Sequence, residues 1–89
     1  MTIEAGHIYV CPAAVHLVAE PTCFRLDSGP SEKGYRPAID VLFRSTAEAF
    51  AARGAGVLLS GLLDDGTAGL ASIKAHGGYA LAQDPDDAL

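Results

Sequence analysis

Tryptophan is absent from this chain of 89 residues, methionine occurs once and cysteine twice. The longest apolar run, residues 54–59, falls far short of the roughly 20 residues that a membrane span requires. Residues 1–20 also lack the basic start and continuous apolar segment of an export signal. Membrane insertion is therefore not expected, and the compartment reads as cytoplasmic. Two cysteines without such a signal do not make an extracellular disulfide framework. Cys11 and Cys23 read instead as small buried hydrophobes, a bridge staying open if their strands pair side by side.

Basic residues are scarce as well. The six of them, Arg25, Lys33, Arg36, Arg44, Arg53 and Lys74, are dispersed, so nothing forms the stripe that phosphate-backbone binding needs. Nucleic acid is excluded as a partner. The net charge of −5 owes three units to Asp84, Asp86 and Asp87, and the remainder is nearly balanced.

What is present is a globular composition, 49% hydrophobic and 19% charged, with apolar residues spread along the whole length. That excludes disorder and leaves room for one small domain or part of a larger one. Residues 1–89 are read as a single partial domain, without internal repeats.

Three kinds of pattern follow one another. Val15 to Asp27 predicts a β-hairpin around the turn Glu20-Pro21-Thr22, with one face apolar and the other mostly polar. Ahead of it, His7 to Cys11 is rich in β-formers and stops at Pro12, so the first third is expected to be antiparallel β. Ser28 to Arg36, with Gly29, Pro30 and Gly34, predicts a loop. Pro37 suits the first position of a helix whose apolar positions, Ile39, Leu42, Phe43, Ala47 and Phe50, recur until Gly54.

Val57 to Ser60 then reads as a strand buried on both faces. Gly66 to His76 reads as a helix with Leu70 and Ile73 inward, ended by Gly77 and Gly78, and Tyr79 to Ala82 as a second strand. Strand, helix and strand in such a short stretch make a βαβ unit with two parallel strands. The fold class is α/β: part of a doubly wound parallel sheet domain with an antiparallel β-hairpin extension. The 89 residues by themselves leave that sheet a bare edge and an uncovered face, which predicts self-association or marginal stability.

In open parallel sheets the working groups gather beyond the carboxyl ends of the strands. Here that place is the loop from Ser60 to Thr67, which carries Asp64 and Asp65 at a helix N-terminus. Either carboxylate has a structural use as the helix cap, and either could instead do chemistry. A Mg²⁺ site on the pair is a further option, but no third acid is placed to support it. His7, His16 and His76 lie in different elements and form no metal-ligand set. Neither Ser31, Ser45, Ser60 nor Ser72 sits in a nucleophile elbow.

Several segments match a known family in order. Gly6-His7-Ile8-Tyr9-Val10-Cys11-Pro12, His16-Leu17, Arg36 to Ser45, Gly61 to Gly66, Ala68-Gly69-Leu70 and Ala82-Gln83-Asp84 resemble the catalytic domain of the CheB-type protein-glutamate methylesterases. The resemblance implies the C-terminal portion of a doubly wound α/β domain. That domain hydrolyses glutamyl methyl esters on methyl-accepting chemotaxis receptors, and also deamidates glutamines, through a Ser-His-Asp triad without a cofactor or metal. Asp65, directly before the loop glycine, aligns with the family's catalytic aspartate, and its task would be to fix the imidazole tautomer. Asp64 then becomes the cap. The family's serine and histidine lie upstream of the matched segments, so these 89 residues alone are expected to be inactive.

Departures from the family pattern fall in the same loop. Leu62 stands at a methionine position and Leu63 at a glycine position, where φ > 0 is disfavoured for leucine. Tyr35 replaces a frequent histidine and Cys11 a small alanine. These mark a divergent subgroup. Two rival readings stand beside it: a non-catalytic interaction module that keeps the same fold, and a Mg²⁺-dependent phosphoryl-transfer domain using Asp64 and Asp65.

Overall fold

The computed structural model describes residues 2–59 and 65–83. The hairpin forms as expected: β1 (His16–Ala19) pairs antiparallel with β2 (Phe24–Asp27), His16 opposite Asp27 and Ala19 opposite Phe24. Its turn is closed by the Glu20 N–H, which donates to the Cys23 carbonyl at 2.9 Å. The alternation of faces does not follow expectation, because His16 and Leu17 are both buried while Leu26 is half exposed. The imidazole is buried without cost to its polar atoms, since each ring nitrogen meets a backbone group, the Pro30 carbonyl at 2.9 Å and the Ala38 N–H at 3.2 Å.

Residues 7–11 form no strand, contrary to the reading of the sequence. Ile8 is 94% and Val10 86% exposed. β-propensity expresses fit to a half-buried ladder, and no ladder is offered to this stretch among the described residues. The N-terminal segment is tied one step earlier, by the bridge from Thr2 to Cys23 and by the Ile3 N–H on the Thr22 carbonyl.

Helix α1 (Ile39–Phe50) starts two residues after Pro37, with Ala38 still extended. A 3₁₀ turn, Ala51–Arg53, leads from it to Gly54. The helix lies against β1 on one side and buries Ala47 completely. The βαβ unit follows as β3 (Ala55–Leu58), α2 (Thr67–Ala75) and β4 (Tyr79–Ala82), with Ala55 opposite Tyr79 and Leu58 opposite Ala82 in parallel register. Strand β3 thus starts two residues earlier than expected, and Ser60 lies outside the described residues.

Close backbone approach explains the glycines here. A Cβ on Gly56 would stand 2.6 Å from Ile73 Cδ1, so α2 sits directly on β3. Gly77, at φ +89°, turns the chain out of α2 towards β4.

One expectation for β3 is overturned. Only the side facing the helices is covered, and Val57, Leu59, Tyr79 and Leu81 are exposed. Val57 and Leu81 are cross-strand partners, so they share the uncovered face. A short apolar run shows that a strand wants cover on both sides, not what provides it. No helix among the described residues is long and apolar enough to cross a membrane.

Candidate functional site

The first turn of α1 has no side-chain cap of its own, because its N-cap is Ala38. Its free N–H groups point outward, as at any helix start, and side chains from elsewhere take them one after another. The Ala38 N–H donates to His16 Nδ1 at 3.2 Å. The Ile39 N–H donates to Asp65 Oδ2 at 2.8 Å, and the Asp40 N–H donates to Asp65 Oδ1 at 3.1 Å. Both oxygens of Asp65 are therefore fixed against the positive end of a helix 26 residues away in sequence, a favourable place for a carboxylate.

Asp65 does not cap the helix it precedes. The N-cap of α2 is Gly66, in a left-handed conformation at φ +107°. The missing cap is supplied by Asp40, whose Oδ1 accepts from the Gly66 N–H at 3.0 Å and from the Gly69 N–H at 2.7 Å. The two helices thus exchange caps. They can do so because they cross very closely: a Cβ on Gly69 would lie 2.5 Å from Phe43 Cβ and 3.1 Å from Asp40 Cα.

Asp40 is 1% exposed. Its Oδ2 has no hydrogen-bond partner among the described residues, and its nearest counter-charge there is Lys33 Nζ at 3.5 Å. Lys33 reaches it from a tight turn in which Lys33 and Gly34 both have positive φ and Glu32 bridges to Tyr35. That turn is anchored on α1 by a two-pronged ion pair. Arg44 Nη2 donates to Glu32 Oε2 at 2.7 Å, and Arg44 Nη1 to Glu32 Oε1. The guanidinium holds the Glu32 carboxyl below its usual range, and the carboxylate in turn raises the Arg44 pKa.

The chemistry open to this cluster follows from its donors and acceptors. Each carboxylate oxygen of Asp65 can accept more than one hydrogen bond, and the residue is only half-buried. It can hold a further N–H donor while remaining locked on α1. A cation is a poor fit, since the groups already facing the carboxylate are N–H donors at the positive end of a helix. No group of three or more His, Cys, Asp or Glu among the described residues could hold a metal ion.

The histidines do not converge on Asp65. His7 and His76 bond the nearby carbonyls of Ala5 and Ser72, and both nitrogens of His16 are committed to backbone. The Ser45 hydroxyl is engaged by the Ala19 N–H and the Leu42 carbonyl. Nor is either thiol poised as a thiolate. Burial raises the Cys11 pKa, and donation to Glu20 Oε1 at 3.3 Å raises that of Cys23.

Of the residues singled out in the sequence, Asp65 stands at the site, while Ser60, Gly61, Leu62, Leu63 and Asp64 lie outside the described residues. Asp40 was not foreseen. Two glycines three apart at a helix start, Gly66 and Gly69, were the available sign that another element's side chain approaches there.

Comparison with known proteins bears on the family and the fold. The CheB methylesterase family profile matches residues 1–89. The chain is 41% identical over 80 residues to the protein-glutamate methylesterase FrzG of Myxococcus xanthus, covering 89% of this chain and 24% of that protein. It is 42% identical over 86 residues to a protein-glutamate methylesterase/protein-glutamine glutaminase of Rhodospirillum rubrum, covering 92% and 22%. The crystal structure of the Thermotoga maritima CheB methylesterase catalytic domain superposes with a TM-score of 0.90 at 29% identity. That match covers all of this chain and 49% of that one. The chain therefore spans about a quarter of the length of these curated relatives and about half of the solved domain.

Proposed function

The chain belongs to the CheB methylesterase family, and from that premise we propose that it is the C-terminal portion of a protein-glutamate methylesterase catalytic domain, with Asp65 as its triad acid. The observation that carries this reading is the hold on Asp65. Its carboxylate is fixed by the Ile39 and Asp40 N–H groups, yet it keeps acceptor capacity towards solvent. That is the requirement on a triad acid, which must fix one imidazole tautomer and stabilise the imidazolium without moving.

The serine and histidine come from the remainder of the domain. The serine oxygen attacks the γ-carbonyl of a glutamyl methyl ester on a chemotaxis receptor while the histidine takes its proton. Methanol then leaves with that proton, and water releases the glutamate from the acyl-enzyme. Glutamine side chains of the same receptors enter by the same route with ammonia as the leaving group. The bare face carrying Val57 and Leu81 is covered by the remainder of the domain, and the chain by itself, inactive for want of a nucleophile, pairs with a second copy through the bare edge of its sheet.

The test is Asp65→Asn in the complete catalytic domain, assayed for turnover of methylated receptor alongside thermal unfolding. Activity is expected to fall on the order of 10⁴-fold near neutral pH. Stability is expected to fall by about 1 kcal/mol, because the amide nitrogen replaces one acceptor of the clamp. Retention of more than about a tenth of the activity contradicts the assignment, since misorienting the imidazole should cost well over ~1.4 kcal/mol in the barrier.

A further inference from the structure

Asp40 is harder to explain than Asp65. An acid in the first turn of a helix is ordinary when exposed, but a carboxylate that is 1% exposed gives up its hydration and needs a reason. Capping α2 is not sufficient as that reason. The preceding residue, Asp65, is of a type well suited to cap locally, but its carboxylate is turned away onto α1.

The geometry brackets Asp65 from both ends. Its carboxylate rests in part on the backbone N–H of Asp40, and the peptide that follows it is pinned through the Gly66 N–H to the carboxylate of Asp40. One residue therefore fixes the side chain of Asp65 through its main chain and the backbone of Asp65 through its side chain. Gly66, at φ +107°, is a turn that few other residues adopt, and the bond to Asp40 holds that turn in place. The Gly69 N–H completes the hold on Oδ1 at 2.7 Å. Lys33 at 3.5 Å is the cation that accompanies the buried charge.

We propose that Asp40 is a positioning residue for the reaction, acting by locking the orientation of Asp65. The proposal rests on Asp65 being the triad acid, and its test separates the two claims. In the complete catalytic domain, turnover of methylated receptor is measured for Asp40→Ala, Asp40→Asn, Asp65→Asn and the Asp40→Ala/Asp65→Asn double variant. The assay temperature is one at which thermal unfolding shows every variant folded.

Asp40→Ala is expected to lower kcat by about 10²-fold with KM unchanged, the scale of loss when a reacting group is misplaced by about an ångström. Asp40→Asn is expected to rescue most of that loss, since its amide oxygen still accepts from Gly66 and Gly69. In the Asp65→Asn background, Asp40→Ala should cost nothing further, because the orientation it protects no longer matters.

Equal losses in both backgrounds would overturn the proposal, as would a rise in KM with kcat unchanged or a failure of Asp40→Asn to rescue. If Asp65→Asn itself retains activity, the triad reading has failed first and takes this one with it. Should Asp40→Ala not fold, Asp40→Leu, which keeps the buried volume, carries the same expectation. If neither folds, the role of Asp40 is structural and the proposal is wrong.

Discussion

The two faces of the β3–β4 pair differ as sharply as an interior and a surface, although the same two short apolar strands supply both. On the inner face, Gly56 lies so near Ile73 that no side chain fits between strand and helix, and Ile73 is fully buried. On the outer face, Val57 and Leu81 stand opposite each other and exposed, with Tyr79 74% exposed beside them. Residues with the same intrinsic wish to leave water are satisfied on one side only. The described residues hold one layer of helices over a sheet that is built for two.

The contrast can be broken by substitution. Ile73→Ala should destabilise the chain by about 2–5 kcal/mol, the range for deleting a large apolar side chain from a core. Thermal or urea unfolding measures it. Gly69→Ala should cost about 1–3 kcal/mol through overpacking against Phe43. It should also lower activity in the complete domain, because separating α1 from α2 pulls Asp40 away from the start of α2. Unfolding and turnover measured together would show whether the two losses go hand in hand.

On the outer face, Val57→Ser with Leu81→Ser should change the stability of the 89-residue chain by no more than about 0.5 kcal/mol, as for ordinary surface positions. The same pair placed in the complete domain should cost several-fold more. Equal costs in the two settings would mean that this face stays bare in the whole protein.

A comparably small effect is expected at the Glu32 and Arg44 pair. Both partners are substantially exposed, so Glu32→Gln should cost only about 0.2–1 kcal/mol at neutral pH. Because the carboxyl of Glu32 is held below its usual range in the folded protein, that contribution is present above the ordinary carboxylate pKa of about 4.3. It is lost as the pH falls through the lower folded value. The stability difference between wild type and variant should accordingly shrink in acid and persist at neutral pH.

The periodic elements were legible in the sequence because their signals are local. The hairpin is placed by its turn, though not its buried face by alternation, and α1, α2 and β4 follow from helical spacing and from the glycines at their ends. What failed depended on partners distant along the chain. His7 to Cys11 has the composition of a strand but finds no ladder. Asp40 was not singled out, because its partners Gly66 and Gly69 lie 26 and 29 residues away. Asp65 was singled out in the sequence, but the helix that its carboxylate serves was not, since capping was expected to act on α2.

The most direct measurement of the central claim is NMR of the complete catalytic domain labelled with ¹⁵N-histidine. If Asp65 orients the triad imidazole while anchored on α1, one histidine ring N–H should give a far-downfield, exchange-protected resonance that disappears in Asp65→Asn, while the bond from His16 to the Pro30 carbonyl persists. A ring N–H resonance unchanged by Asp65→Asn would contradict the assignment and leave Asp65 a clamp between two helices.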